Sequence, residues 1–203
     1  MKVYNKNNMR IFLDKPVKDT LMSNLVFKAV TKAGWKYQVP ADLDGACVYV
    51  AYPHTSNWDT VLGICASYIW DIKIFVLVKE DYDKPILRDI MKFLSMLPIQ
   101  RSGGALNASR DYYKKTGASI TIAVEGTRKL GKGWKKGFHW LAKENNIPIV
   151  LGHYNYKEKI FGWDAVFDAG PTPDDTLQKC KEIYEKTNPI GKYPELASPI
   201  KWI

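Results

Sequence analysis

The chain has 203 residues, of which 46% are hydrophobic and 25% charged, with a formal net charge of +9. These are ordinary values for one globular domain large enough to bury a core, and they exclude a disordered or collagen-like chain. The positive balance favours anionic partners: phosphate, nucleic acid or an anionic membrane surface.

The N-terminus carries Lys2, Lys6, Arg10, Asp14 and Lys15 and lacks the apolar core of a signal peptide. Residues 21–30 repeat apolar side chains at helical spacing, with Lys18, Lys28 and Lys32 nearby. That pattern reads first as a helix packed on the core, and second as a basic amphipathic helix, spanning about 18–33, that lies on a membrane surface. An acidic turn at Asp42, Asp44 and Gly45 then opens a regular alternation. Residues 46–52 read as a buried strand, 57–70 as a helix, 72–78 as a strand and 84–96 as a helix. Residues 97–101 read as a short extended piece, and Ser102-Gly103-Gly104 as a loop. Residues 105–115 read as helix, 118–124 as a buried strand and 125–133 as a polar loop containing glycine. A helix over 135–145 and a strand over 147–152 follow.

Beyond Gly152 one more hairpin or edge strand is expected around 160–167. Thr172-Pro173-Asp174-Asp175 is a strong helix start, with an N-cap threonine, an early proline and carboxylates in the first turn. That helix should run over about 173–186, and the proline-containing tail, 188–203, should be irregular. Strands separated by helices argue for an α/β fold: a single domain with a mostly parallel central sheet flanked by helices. The most apolar long stretch, 61–78, is broken by Asp71 and Lys73, so no membrane-spanning helix is expected. Cys47, Cys65 and Cys180 show no metal-ligand spacing and read as buried free thiols in a reducing compartment.

Three stretches have the residue types that chemistry needs. His54 and Asp59 follow the first buried strand. Five residues apart on a continuous helix they would sit about 140° around the axis from each other. They can meet only if His54 lies in the turn before the helix and Asp59 in its first turn, with Thr55, Ser56 or Asn57 as N-cap. A carboxylate that orients an imidazole at a strand end suits a general base. Glu125-Gly126-Thr127-Arg128 follows a second buried strand, and loops beyond the C-terminal ends of parallel strands line ligand crevices. Arg101 follows the short extended piece and offers a second guanidinium for a phosphate. His139 sits mid-helix and reads as structural, and His153 ends a strand with no assigned role. Zinc-like spacing, a phosphate-binding Gly loop and a nucleophile elbow are all missing.

Together these stretches resemble the glycerolipid acyltransferase family, the glycerol-3-phosphate and 1-acylglycerol-3-phosphate acyltransferases, in a compact form without a transmembrane helix. His54 and Asp59 match its His-x4-Asp motif, and Arg101 matches the arginine that ends its second motif. Glu125 to Arg128 match its Glu-Gly-Thr-Arg motif, followed by an aromatic-Lys-x-Gly element at Trp134, Lys135 and Gly137. Ile147-Pro148-Ile149-Val150 matches its fourth. The matches keep the family's order over 46–152. Pro53, Ser95, Pro98, Val124 and Leu151 depart from its usual residues, and these departures leave the acyl acceptor undefined.

The resemblance implies an O-acyltransferase that moves a fatty acyl group from a thioester, acyl-CoA or acyl carrier protein, to a hydroxyl of a phosphate-bearing glycerolipid. It implies no cofactor and no metal. His54 would be the general base and Asp59 its orienting carboxylate. Arg101, Arg128, Lys79 and Lys135 would hold the acceptor phosphate, with Glu125, Gly126 and Thr127 shaping the pocket or Glu125 equally serving as a structural brace for Arg128, and an apolar, aromatic groove would take the acyl chain. The expected partners are the thioester donor, a lysophospholipid or other phosphate-bearing alcohol, and an anionic membrane surface, with no nucleic acid. The expected location is cytoplasmic, peripheral on the inner face of the membrane. Two alternatives remain: a non-catalytic basic protein that binds membrane or nucleic acid, and a thioesterase-like hydrolase.

Overall fold

The computed structural model of the chain describes residues 11–39, 45–79, 96–99 and 104–203. Eight strands form one sheet in the order β1-β2-β8-β7-β3-β6-β4-β5. They are β1 (Ile11–Phe12), β2 (Lys36–Val39), β3 (Val48–Tyr52), β4 (Ile74–Lys79), β5 (Met96–Ile99), β6 (Ser119–Ala123), β7 (Ile149–Asn155) and β8 (Ile160–Phe167). Five described helices cover it: α1 (Leu21–Lys32), α2 (Asn57–Trp70), α3 (Ala105–Thr116), α4 (Gly137–Asn145) and α5 (Pro173–Thr187).

The pairs β7–β3, β3–β6, β6–β4, β4–β5 and β2–β8 are parallel, and β7–β8 and β1–β2 antiparallel. The expected α/β domain with a mostly parallel sheet is therefore the observed one. The carboxyl ends of β3, β6, β4, β5 and β7 share one edge, which is where ligands bind in open sheets of this kind.

β3 is central and buried on both faces, and its alternation serves both layers. Val48 and Val50 join the core under α3, α4 and α5 with Phe138, Leu141 and Tyr184. Tyr49 and Ala51 face α1 and α2. There Trp70 stacks between Tyr49 and Phe161, with ring centroids 6.0 and 5.0 Å away. α1 lies against α2, and its approach is fixed by Val17 N–H donating to the Ile69 carbonyl at 2.8 Å and by a Lys18–Asp71 ion pair at 3.4 Å. Thr20 and Ser23 cap α1 reciprocally, as Thr172 and Asp175 cap α5.

Of the hairpin or edge strand expected over 160–167, the hairpin is what forms: β8 pairs antiparallel with β7 and lies between β7 and β2. β2 was not expected, because its four residues are too short for a periodicity signal; it is in place because the chain leaving α1 runs parallel to β8. Met96, expected to end a helix, begins β5, where it pairs with Val76; the rest of the helix expected over 84–96 lies outside the described residues. α1 packs on the core, one of the two readings offered for it, and leaves some apolar side chains exposed. Val30 is buried and Val26 and Phe27 pack inward, while Leu21, Met22 and Leu25 face solvent, Leu21 at 80% exposure. No helix among the described residues is long and apolar enough to cross a membrane.

Candidate active site

The turn between β3 and α2 builds the site from local rules. Ser56 is the N-cap of α2, its hydroxyl accepting from the α2 backbone, and Asp59 is the third helical residue, returning a bond to the Ser56 amide. This capping box satisfies helix amides that would otherwise be orphaned. It also fixes where Asp59 points. Oδ2 accepts from Thr55 N–H and Ser56 N–H, both at 2.8 Å, and lies 3.2 Å from Nδ1 of His54. The ring N–H is not aligned for a hydrogen bond at that separation, so Nδ1 has ion-pair proximity without a formal bond. Catalytic bonds in ligand-free sites are commonly loose in this way. The Asp59 side chain is 0% exposed and that of His54 13%. With Nδ1 turned to the carboxylate, Nε2 is the nitrogen left for a substrate.

Glu125, at the end of β6, holds the other side of this turn. Its Oε2 accepts from the backbone N–H of His54 at 2.6 Å, and its Oε1 from the backbone N–H of Ser198 at 2.7 Å. Burial pushes the Glu125 carboxyl above its ordinary range, and the amides of Ser198 and His54 pull it back. The native chain thus holds this proton more tightly than the unfolded one. Glu125 therefore subtracts from stability as pH rises from its ordinary value through its raised one. Gly126 is left-handed, with φ of 64°, and a Cβ there would meet Cε of Lys135 at 2.9 Å. The positive φ is what favours glycine here, since the flexible lysine stem over the loop could move aside. Thr127 accepts from Lys129 N–H at 3.2 Å, and Arg128 is exposed. Lys79 ends β4, in register with Ile99 of β5. Arg101 lies outside the described residues. The structure thus brings together His54, Asp59 and Glu125, and separately Gly126 and Lys135.

The tail beyond α5 is irregular, as expected, but it is built into the site. Besides the bond to Glu125, the Ser198 hydroxyl accepts from Gly131 N–H at 3.0 Å, and its carbonyl accepts from the Tyr52 hydroxyl at 3.1 Å. The Tyr52 hydroxyl is pushed up to about 12 by burial and by Glu125. Trp134 and residues 201–203 exchange two backbone bonds, and Tyr193 N–H donates to the Thr55 hydroxyl at 3.2 Å. At the rim, the Lys192 ammonium lies 5.5 Å from the ring of exposed Trp58 and 5.7 Å from that of Tyr193. No sequence motif marks Ser198, Lys192 or Tyr193, because most of these bonds use backbone atoms.

The other two histidines are occupied elsewhere. His139 is buried with Nδ1 2.8 Å from the Thr176 hydroxyl, tying α4 to α5. His153 pairs with Asp164 at 2.9 Å, both side chains at 5% exposure or less. Among the described residues no three His, Cys, Asp or Glu side chains gather as metal ligands would. Between α2 and the sheet lies a small apolar cavity of about 20 Å³, bordered by Ala51, Gly63, Trp70, Ile74, Gly152 and Phe161. Ala51 precedes His54 by three residues, and Gly63 follows Asp59 by one helical turn.

A family model described as Acyltransferase matches residues 30–150. No curated protein matches the chain. Among solved structures, the chain is similar to the 1-acyl-sn-glycerophosphate (LPA) acyltransferase PlsC from Thermotoga maritima. The TM-score is 0.60 and the identity 16%, over 84% of this chain and 80% of that one.

Proposed function

Starting from a chain that belongs to the acyltransferase family, we propose that it moves a fatty acyl group from a thioester to a hydroxyl of a phosphate-bearing glycerolipid. The observation that carries this reading is the seating of the His54 backbone on Glu125 at 2.6 Å, beside Asp59. It joins the two motifs around one imidazole. In the proposed reaction the acceptor O–H gives its proton to Nε2 of His54 while its oxygen attacks the thioester carbonyl. The C–S bond then breaks, and the leaving thiolate takes the proton back from His54. Asp59 stabilises the imidazolium between these steps.

Arg128 and Lys135, with Arg101 and with Lys79 at the end of β4, are the proposed phosphate ligands, acting through charge-assisted hydrogen bonds. Glu125, whose two oxygens are taken by the chain's own amides, acts in this reading as a brace for the His54 turn. The lipid acceptor is tested by mass spectrometry of lipids from cells with and without the protein. A change in glycerophospholipid acyl composition is expected, and an unchanged lipid profile overturns the assignment of a glycerolipid acceptor.

The exposed face of α1, Leu21, Met22 and Leu25, is the proposed membrane contact, with the net charge of +9 adding attraction to anionic lipid. Leu21→Glu with Leu25→Glu is expected to weaken sedimentation with anionic vesicles about tenfold. Turnover of a water-soluble short-chain acceptor should stay unchanged.

A further inference from the structure

Asp59 is fully buried, and its two oxygens have different partners. Oδ2 receives the amides of Thr55 and Ser56 and faces His54. Oδ1 receives the hydroxyl of Tyr156 at 2.6 Å. Tyr156 follows β7, at the same edge of the sheet as His54 but 97 residues along the chain from Asp59. We infer that Tyr156 is a positioning residue of the His54–Asp59 pair: its O–H fixes the rotation of the Asp59 carboxylate and so aims Oδ2 at Nδ1 of His54.

A carboxylate turns easily about its terminal bond, where the torsional preference is broad. The capping amides hold only one of its oxygens. With Nδ1 at 3.2 Å and not aligned, a small rotation decides whether the imidazole gains or loses its partner. The second anchor comes from a side chain that is itself fixed. The Tyr156 ring meets the ring of Trp35 edge-on, with centroids 5.0 Å apart and planes at 89°. Its backbone N–H donates to the Ile190 carbonyl at 2.8 Å. Burial and the adjacent Asp59 both push the phenol well above its ordinary range, so the hydroxyl remains a neutral donor wherever the enzyme works. Packing alone asks only for a ring beside Trp35. The hydroxyl's bond to the most buried carboxylate oxygen of the site is what packing leaves unexplained.

Removing that donor leaves the carboxylate charge concentrated on fewer partners, so the pair takes up its first proton more readily. The other titratable groups around it are Glu125 from the β6 loop, Tyr154 of β7 and Tyr193 of the tail. Because protonated His54 is inactive as a base, the acid limb of the rate profile should move to higher pH.

The inference rests on the proposed acyl transfer by His54 and Asp59, and the test separates the two. With purified full-length protein and a saturating acyl thioester, Tyr156→Phe is expected to lower kcat about 10- to 30-fold, consistent with loss of one hydrogen bond to a charged group. KM for the donor should change by less than about twofold, and the acid limb should rise by about half a pH unit or more. In an Asp59→Asn background the same substitution should have no further effect, the non-additivity expected of residues acting through one another. Wild-type kcat and an unmoved acid limb in Tyr156→Phe, or full additivity with Asp59→Asn, overturn the inference. If Tyr156→Phe does not fold, Trp35→Leu takes its place, since it removes the support for the ring but keeps the hydroxyl. The same upward shift of the acid limb is expected, and an unshifted limb overturns the inference. His54→Ala is run alongside. If it retains activity, the base assignment fails and the Tyr156 role with it; if it is inactive while Tyr156→Phe is normal, only the Tyr156 inference fails.

Discussion

His54→Ala is expected to reduce kcat by about 10³-fold or more, near the upper range for loss of a general base. The melting temperature should hardly change. The reason for this split lies in the turn. His54 is held through its backbone N–H by Glu125, and that bond survives any side-chain change. Nδ1 of the imidazole makes no hydrogen bond, so although the side chain is largely covered, its removal breaks no bond that holds the turn. A lost rate without lost stability therefore marks a chemical role. Comparable losses of both would make His54 a structural residue. The measurement is steady-state kinetics paired with a thermal melt.

Truncation before Ser198 should cost both stability and rate. Deleting 198–203 removes the Ser198 amide from Glu125, the Ser198 hydroxyl from Gly131 and the Ser198 carbonyl from Tyr52. It also strips both backbone bonds from Trp134 and takes Ile200 and Trp202 off the core. Trp134 is completely buried, and its neighbours within ring-contact distance include Tyr52, Phe138 and Tyr184. Several orphaned polar groups at about 1 kcal/mol or more each, with the exposed apolar area, suggest a loss of roughly 4–6 kcal/mol. For a domain of this size that is a fall in melting temperature of roughly 10 °C or more. Activity should also drop at least tenfold at temperatures where the truncated chain is still folded, because the brace on His54 has lost its second partner. A truncated protein with unchanged melting and unchanged rate would show the tail to be an appendage.

The sequence was most legible where local chemistry and function coincide. The N-cap candidates Thr55, Ser56 and Asn57, with Asp59 in the first turn, predicted both a helix start and an oriented carboxylate; Ser56 is the cap, and α2 begins and ends where the periodicity put it. The buried strands were visible because strands covered on both faces are continuous apolar runs. What could not be read was long-range. The clamp formed by the tail is made mostly of backbone amides and carbonyls, for which side-chain identity carries no signal. Tyr156 is one of twelve tyrosines, and only the juxtaposition of β7 with β3 brings its hydroxyl to Asp59. β8 was legible as a strand but not as an interior one, because its partner β2 is too short to announce itself.

Glu125 shows why a motif and a role are different things. The Glu-Gly-Thr-Arg stretch pointed to substrate, yet both carboxylate oxygens are occupied by the chain's own amides. What remains for substrate in that loop is the exposed guanidinium of Arg128 and the ammonium of Lys135.

The central claim, acyl transfer by His54 to a phosphate-bearing alcohol, is tested most directly by product analysis. Purified protein is supplied with an acyl thioester and 1-acylglycerol-3-phosphate, and the products are identified by mass spectrometry. The account predicts a diacylated phosphate product formed in step with free thiol, and its disappearance in His54→Ala. Free fatty acid as the sole acyl product, or diacylated product formed equally well by His54→Ala, would contradict it.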